Sequence, residues 1–150
     1  MPLALDIATV TGYARHTKDG IIFGTADFSA FNHDHAVKGR RLYWWLWDLI
    51  EEQGKPSIII IEKPFFMQAN PMAGILLHKL CHEAHRVAQC LGIPRTEYTA
   101  GQIKTHITGN YRATKTDVIQ AVEKLGHKIR NEHEADSVAL LLLHKHNSGE

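Results

Sequence analysis

Three carboxylates interrupt or abut apolar runs at distant points of the sequence. Asp6 lies within Leu-Ala-Leu-Asp-Ile-Ala, and Glu62 directly follows four isoleucines, Ile58 to Ile61. Asp136 stands just ahead of Ser-Val-Ala-Leu-Leu-Leu-Leu. An unpaired carboxylate in such surroundings is costly, so these groups are usually paired or bound to a cation. Convergence of all three on one site would favour hard divalent cations such as Mg²⁺ or Mn²⁺. Two such ions roughly 3.5–4 Å apart can activate water and stabilise the leaving oxygen in phosphodiester cleavage. The competing reading satisfies each acid separately, by a cap or an ion pair. Asp136 in particular suits a first helical turn, where the dipole favours an acid.

The elements that must position these acids follow from hydrophobic periodicity. Residues 2–9 read as a short apolar strand. A second strand begins at Gly12-Tyr13-Ala14-Arg15, and residues 21–28 form a third after the Lys18-Asp19-Gly20 turn signal. These three make an antiparallel meander. Residues 29–37 read as a polar loop. From 37 to 53 the pattern is helical, with Leu42, Trp45, Leu46, Leu49 and Ile50 in one stripe. Residues 57–62 form a continuously apolar strand, as expected where both sheet faces are covered. A long helix opens at Asn70-Pro71 and runs to about Leu91, with Gly92 as its terminator. A short strand at 95–99, a helix at 100–107, a helix at 114–125 capped by Thr114, and a last helix at about 134–145 complete the chain. This order gives an α/β fold: a mixed five-stranded sheet, three strands of meander plus parallel strands, with helices on both faces. It reads as one domain over residues 1–150.

If the first and fourth strands are neighbours, Asp6 and Glu62 lie side by side, and the last helix can bring Asp136 to them. Positions three and four before Asp136 share its helical face. Those are His133 and Glu132, so either can supply a fourth ligand, whereas Glu134 points elsewhere. His133 also has the chemistry of a proton shuttle.

Length and composition fit an ordinary globular domain: 150 residues, 44% hydrophobic and 22% charged. A net charge of +1 disfavours a general nucleic-acid binder, for which a basic excess is expected. That balance misleads if acids cluster at an active site and bases ring it. Cys81 and Cys90 fall too far apart on one helix to bridge, which fits a reducing compartment. Asp6 stands where the apolar core of a signal peptide would form, and no apolar stretch is long enough to span a bilayer. A cytosolic protein, in a bacterial or phage-infected cell, is expected.

The motifs, taken in order, resemble the Holliday-junction resolvase family RuvC, within the RNase H-like nuclease superfamily. Leu3 to Ala14 resembles that family's first strand, catalytic Asp and Thr-Gly-Tyr second strand. Ile58 to Phe65 resembles its Ile-Glu strand end with a following Phe. His133-Glu-Ala-Asp136-Ser-Val-Ala-Leu resembles its terminal catalytic pair. The resemblance covers nearly the whole chain. It implies an RNase H-like fold and a Mg²⁺-dependent endodeoxyribonuclease, with Mn²⁺ able to substitute. Such an enzyme works as a homodimer, built through the 71–91 helix, that nicks two opposing strands of a four-way DNA junction. Asp6, Glu62, His133 and Asp136 would hold the metal. Lys104 and Lys115 would contact phosphate, and Arg112 lies in the same basic stretch. Phe65 would stack on a base, worth about 1–3 kcal/mol, with the adjacent Phe66 as the alternative ring. Lys63-Pro64 after Glu62, and Ile7-Ala8-Thr9 in place of a Pro-Gly turn, mark a divergent, phage-type member.

Other readings compete. A nuclease of the same superfamily can act on RNA–DNA hybrids or other branched DNA, since fold does not fix substrate. A silent junction-binding protein would gain little from carboxylates in apolar segments. An actin-like ATPase needs a duplicated fold. The segment from Gly109 to Lys115 lacks the Gly-Lys-Ser/Thr ending of a nucleotide-binding loop, and a basic loop gripping DNA phosphate fits better. His78, Cys81, His82 and His85 crowd one helix, but without a second zinc-type ligand pair a helix flank at a dimer interface is the better reading. Tyr43, Trp44 and Trp47 are expected in a wide buried face rather than on DNA.

Overall fold

A computed structural model describes residues 1–30, 34–65 and 68–149. Its sheet has five strands in the order β3-β2-β1-β4-β5. The strands are β1 (Leu3–Asp6), β2 (Val10–Thr17), β3 (Gly20–Asp27), β4 (Ile59–Glu62) and β5 (Arg95–Tyr98). The first three form the antiparallel meander, and β4 and β5 join in parallel on the other side of β1. The helices are α1 (His35–Gln53), α2 (Pro71–Cys90), α3 (Ala100–Thr108), α4 (Lys115–Lys124) and α5 (Glu132–Ser148).

Two cores flank the sheet. Leu3, Leu5, Ile59 and Ile61 face α1 and α2, where they meet Leu42, Leu46, Leu80 and Val87. Ala4 and Ile60 face the opposite way, against Val138, Ala139 and Leu141 of α5. This double burial explains why β1 and β4 are apolar on every residue but the last. α5 runs through the middle of its layer, against β1 to β4 on one side and α3 and α4 on the other. Its four consecutive leucines therefore find cover around most of the helix, and the weak one-sided pattern of its sequence reflects a buried helix.

Of the boundaries that differ from the sequence expectation, three have a clear local cause. The first strand stops at Asp6 rather than Thr9. The Thr11 hydroxyl donates to the Ala8 carbonyl at 2.7 Å and accepts from the Ala8 amide at 3.3 Å, and this local bonding turns the chain out of the sheet. α1 begins at His35, because Asp34 caps the amides of Ala36 and Val37. α5 begins at Glu132, because the Asn131 side chain accepts from the Glu134 amide. The last shift places both Glu132 and His133 in the first helical turn.

The aromatic group of α1 divides: Tyr43 and Trp47 are half-buried against the edge of the core, whereas Trp44 is not. Trp44 is 53% exposed, and Tyr43 stacks on Trp47 at 6.0 Å with the Arg86 guanidinium over its ring. The stripe facing the sheet is already filled by Leu42, Leu46, Leu49 and Ile50, so Trp44 remains on the outer flank. Both cysteines are free. The α2 histidines do not converge: the ring of His78 bonds the Gly74 carbonyl, and His85 meets Glu97 at 3.1 Å.

Candidate active site

The pleat and the strand register place the first two acids. Ala4 is level with Ile60 and Leu5 with Ile61, in parallel. One further step puts Asp6 beside Glu62, each at the C-terminal end of its strand. Side chains alternate along a strand, so both acids share the face of Ala4 and Ile60, toward α5. The N-terminal turns of α5 then supply His133 and Asp136, spaced one turn apart on one side of the helix.

This close approach depends on a residue without a side chain. Gly12 is the β2 partner of Asp6. A Cβ built there would lie 2.1 Å from the carbonyl oxygen of His133 and 2.7 Å from its carbonyl carbon. Only glycine lets the α5 backbone sit this near the strand. The sequence signal was a glycine inside a strand pattern, which marks a close backbone approach.

Behind α5, Glu134 has a side chain with no exposed surface and accepts three hydrogen bonds from Arg130. These come from the amide at 2.8 Å, Nε at 2.9 Å and Nη2 at 2.7 Å. The bonds clip the preceding loop to the helix start. Glu134 thus points away from Asp6 and Glu62, as the helical spacing predicted.

In front of α5, a cleft of about 390 Å³ brings together Asp6, Glu62, His133 and Asp136, with Lys115, Glu132 and Phe65 at its rim. Leu76, Leu77 and Leu80 of α2 form an apolar wall. His133 Nδ1 lies 3.5 Å from Asp6 Oδ2, and its Nε2 lies 3.6 Å from Glu132 Oε1. Lys115 Nζ meets both Glu132 oxygens, at 3.2 and 3.3 Å. A larger groove of about 660 Å³ between α1 and α2 is lined by His35, Gly74, Ile75, His78 and His82. It holds a single carboxylate, Glu83, so the acid chemistry belongs to the smaller cleft.

The cleft resists carrying its own charges. Burial, then the charges of Asp6 and Asp136, push Glu62 up to about 8, with Lys104 pulling the other way. Burial, then Asp6 and Glu132, push Asp136 up to about 7, against His133 and Lys115. His133 is raised above its ordinary value, chiefly by its contact with Asp6, with burial opposing. Among the described residues, neither Glu62 nor Asp136 accepts a protein hydrogen bond. A hard cation would relieve this repulsion, so the donor set fits a divalent metal by charge and type. The side chains stand apart, however: among the described residues no three His, Cys, Asp or Glu side chains close on one ion position.

The remaining candidates divide. Phe65 is 55% exposed at the cleft rim. Lys104 acts on Glu62 through its charge. Arg112 is not in the cleft; its guanidinium lies against the ring of Tyr111, with Nε donating to the hydroxyl at 2.8 Å. Phe66 lies outside the described residues. Among the described residues, no helix is long and apolar enough to cross a membrane.

Comparison with known proteins gives a consistent result. A family model described as crossover junction endodeoxyribonuclease RuvC matches residues 9–144. A protein of that description from Idiomarina loihiensis is 36% identical over 115 residues, 75% of this chain and 64% of the relative. One from Citrifermentans bemidjiense is 27% identical over 145 residues, 93% of this chain and 87% of the relative. The Thermus thermophilus RuvC structure superposes with a TM-score of 0.76 at 20% identity, covering 99% of this chain and 96% of that one. The same protein in complex with a Holliday junction substrate gives 0.79 at 18% identity, covering 97% and 94%. These structural likenesses establish the fold, the RNase H-like mixed sheet with helices on both faces.

Proposed function

The chain belongs to the crossover junction endodeoxyribonuclease RuvC family, and from that premise we propose that it is a structure-selective endodeoxyribonuclease resolving four-way DNA junctions by paired nicks in opposing strands. The family implies dependence on a divalent metal; Mg²⁺ is the ion we assign, with Mn²⁺ as its substitute. The observation that carries the reading is the cleft in which Asp6, Glu62, His133 and Asp136 share one face, with Glu62 and Asp136 pushed up to about 8 and about 7 by burial and then by the charge of Asp6.

Asp6, Glu62, His133 and Asp136 would hold the metal. A bound cation would supply polarisation of water and neutralisation of charge on a phosphate. His133, raised above its ordinary value chiefly by Asp6, would have to be neutral to serve as a ligand. Lys115 at the rim, and Lys104 beside Glu62, offer cations to the DNA backbone. Arg112, held on Tyr111, stands further out as a contact for an adjoining phosphate. Phe65 offers an exposed ring for stacking on a base at the opened junction centre. Asp6 to Thr9 and the α2 leucines wall the site, limiting access by bulk water. A homodimer joined through α2 would present two such clefts to opposing strands, with the histidine-lined groove between α1 and α2 at or beside the contact.

The near-neutral net charge fits this arrangement, because acids gathered in the cleft offset bases around it. The test is cleavage of a panel of branched DNAs, RNA–DNA hybrids and linear duplexes with Mg²⁺, mapping products on each strand. Symmetric paired nicks in four-way junctions, lost in Asp6→Asn, are expected. Preference for hybrids or flaps would move the reading to another nuclease of the same fold. Equal cleavage by Asp6→Asn would refute the metal role.

A further inference from the structure

Lys115 opens α4, directly after the Thr114 cap. A cation there is locally unfavourable, since the first turn of a helix carries the positive end of its dipole. The turn is otherwise well built: the Thr114 and Asp117 side chains cap each other's amides reciprocally. A lysine that opposes the local preference of a well-capped helix marks a position kept for another purpose. Its side chain is 73% exposed, yet Nζ is held at 3.2–3.3 Å by both oxygens of Glu132, seventeen residues away at the start of α5. Two helix N-termini thus face each other across the cleft rim, and an ion pair joins them.

We infer that Glu132 is a positioning residue that occupies Lys115 as a stand-in for a DNA phosphate, and that an incoming backbone phosphate displaces it. This rests on the reading of Lys115 as a phosphate contact. The geometry suits an exchange. Glu132 offers Lys115 two oxygens, as a phosphate does, and its Oε1 is also 3.6 Å from His133 Nε2, so the displaced carboxylate has a neighbour to turn toward. The pair is exposed, and exposed ion pairs are weak, so the exchange is readily reversible. The consequence is that the free protein masks one of its own DNA-binding charges. That differs from Glu132 as a metal ligand, in which its removal would weaken cation binding.

The test uses the full chain without divalent metal, binding a four-way junction over a range of salt concentrations. Lys115→Ala should weaken binding and reduce the slope of log affinity against log salt by about one. Glu132→Gln should tighten binding about two- to fivefold, the range of an exposed ion pair, and steepen the slope by about one. In a Lys115→Ala background, Glu132→Gln should change neither. If Lys115→Ala leaves affinity and slope unchanged, the phosphate-contact reading falls and the inference with it. If Lys115→Ala behaves as expected but Glu132→Gln tightens binding equally in both backgrounds, general repulsion is at work and only the inference is overturned. A loss of Mn²⁺ affinity in Glu132→Gln, measured without DNA, would also overturn it by making Glu132 a ligand.

Discussion

Two carboxylates two residues apart on α5 meet opposite surroundings. Glu134 is wholly buried on the loop side, where Arg130 gives it three hydrogen bonds from backbone and side chain. Asp136 faces the cleft, where it accepts none from the described residues and where Asp6 and Glu132 repel its charge. Burial alone therefore does not identify a functional acid. The deeper carboxylate is structural because its charge is answered. The shallower one is a candidate for chemistry because its charge is left for something else to answer. One helix turn holds both, and the first keeps the second in place.

The largest effects should separate these two roles. Asp136→Asn should reduce Mg²⁺-dependent junction cleavage by more than about a hundredfold, the upper range for partners one shell further from a metal. It should leave the metal-free protein as stable as before, or more so, because it deletes a charge the cleft disfavours. Glu134→Ala should do the reverse in stability. It strands Arg130 and its amide, at a cost of about 2 kcal/mol, near the middle of the range for hydrogen bonds to a charged group. Thermal melts of both variants at pH 8, beside cleavage rates, read the two effects. A destabilised Asp136→Asn with normal cleavage would abolish the distinction.

Gly12→Ala probes the strut between the two regions. The added methyl would overlap the His133 carbonyl, and neither backbone can yield cheaply. A cost of about 1–3 kcal/mol is expected, as for other overpacked sites. Cleavage should fall further than that loss of stability explains, since the displaced atoms belong to the residue beside Asp6. A variant that is destabilised but cleaves at the wild-type rate when fully folded would show that α5 can shift without harming the cleft.

Much of this arrangement was legible in the sequence, for reasons that can be named. Asp6, Glu62 and Asp136 stood out because charge inside an apolar run carries a visible energetic penalty. His133 and Glu132 followed from the helical repeat. The mixed sheet followed from a turn-linked meander preceding strand-helix-strand units, while the adjacency of β1 and β4 stood as a condition that the register meets. Contacts between elements without a local signature were not legible. The Lys115–Glu132 pair joins two helix ends; a lysine in a first helical turn is locally unfavourable, but nothing in its own segment names Glu132 as its partner. Trp44 was misplaced because aromatic size suggested burial, while the leucines of α1 had already filled the inward stripe. The end of β1 was misjudged because one hydroxyl, Thr11, turns the chain after Asp6.

A smaller effect is expected from Phe65→Ala. The ring is exposed at the rim and contributes little to the fold, so the melting temperature should not change. Junction cleavage should fall about tenfold, within the range for loss of one stacked base, with binding less affected. Equal cleavage by the variant would remove Phe65 from the site and turn attention to Phe66.

The smallest effect is the pH dependence of the metal-free protein, and its sign follows from the cleft. Glu62 and Asp136 hold their protons more tightly when folded, at about 8 and about 7, than in the unfolded chain. Folding therefore takes up protons between the ordinary carboxylate range and pH 8, and stability is lost as pH rises through that window. His133, raised as well, acts with the same sign. His85 and His106 are lowered and act oppositely, but only in the acidic region where an unfolded histidine would be charged. Above about pH 7 both are neutral in either state, so the cleft acids dominate. The melting temperature should fall by a few degrees from pH 6.5 to 8.5, and Glu62→Gln should flatten the decline. Mg²⁺ should restore more stability at pH 8.5 than at 6.5, because at the lower pH it must first expel protons. A flat profile in the metal-free protein would mean that Glu62 and Asp136 are already answered, as Glu134 is, and would remove the contrast between the two sides of α5.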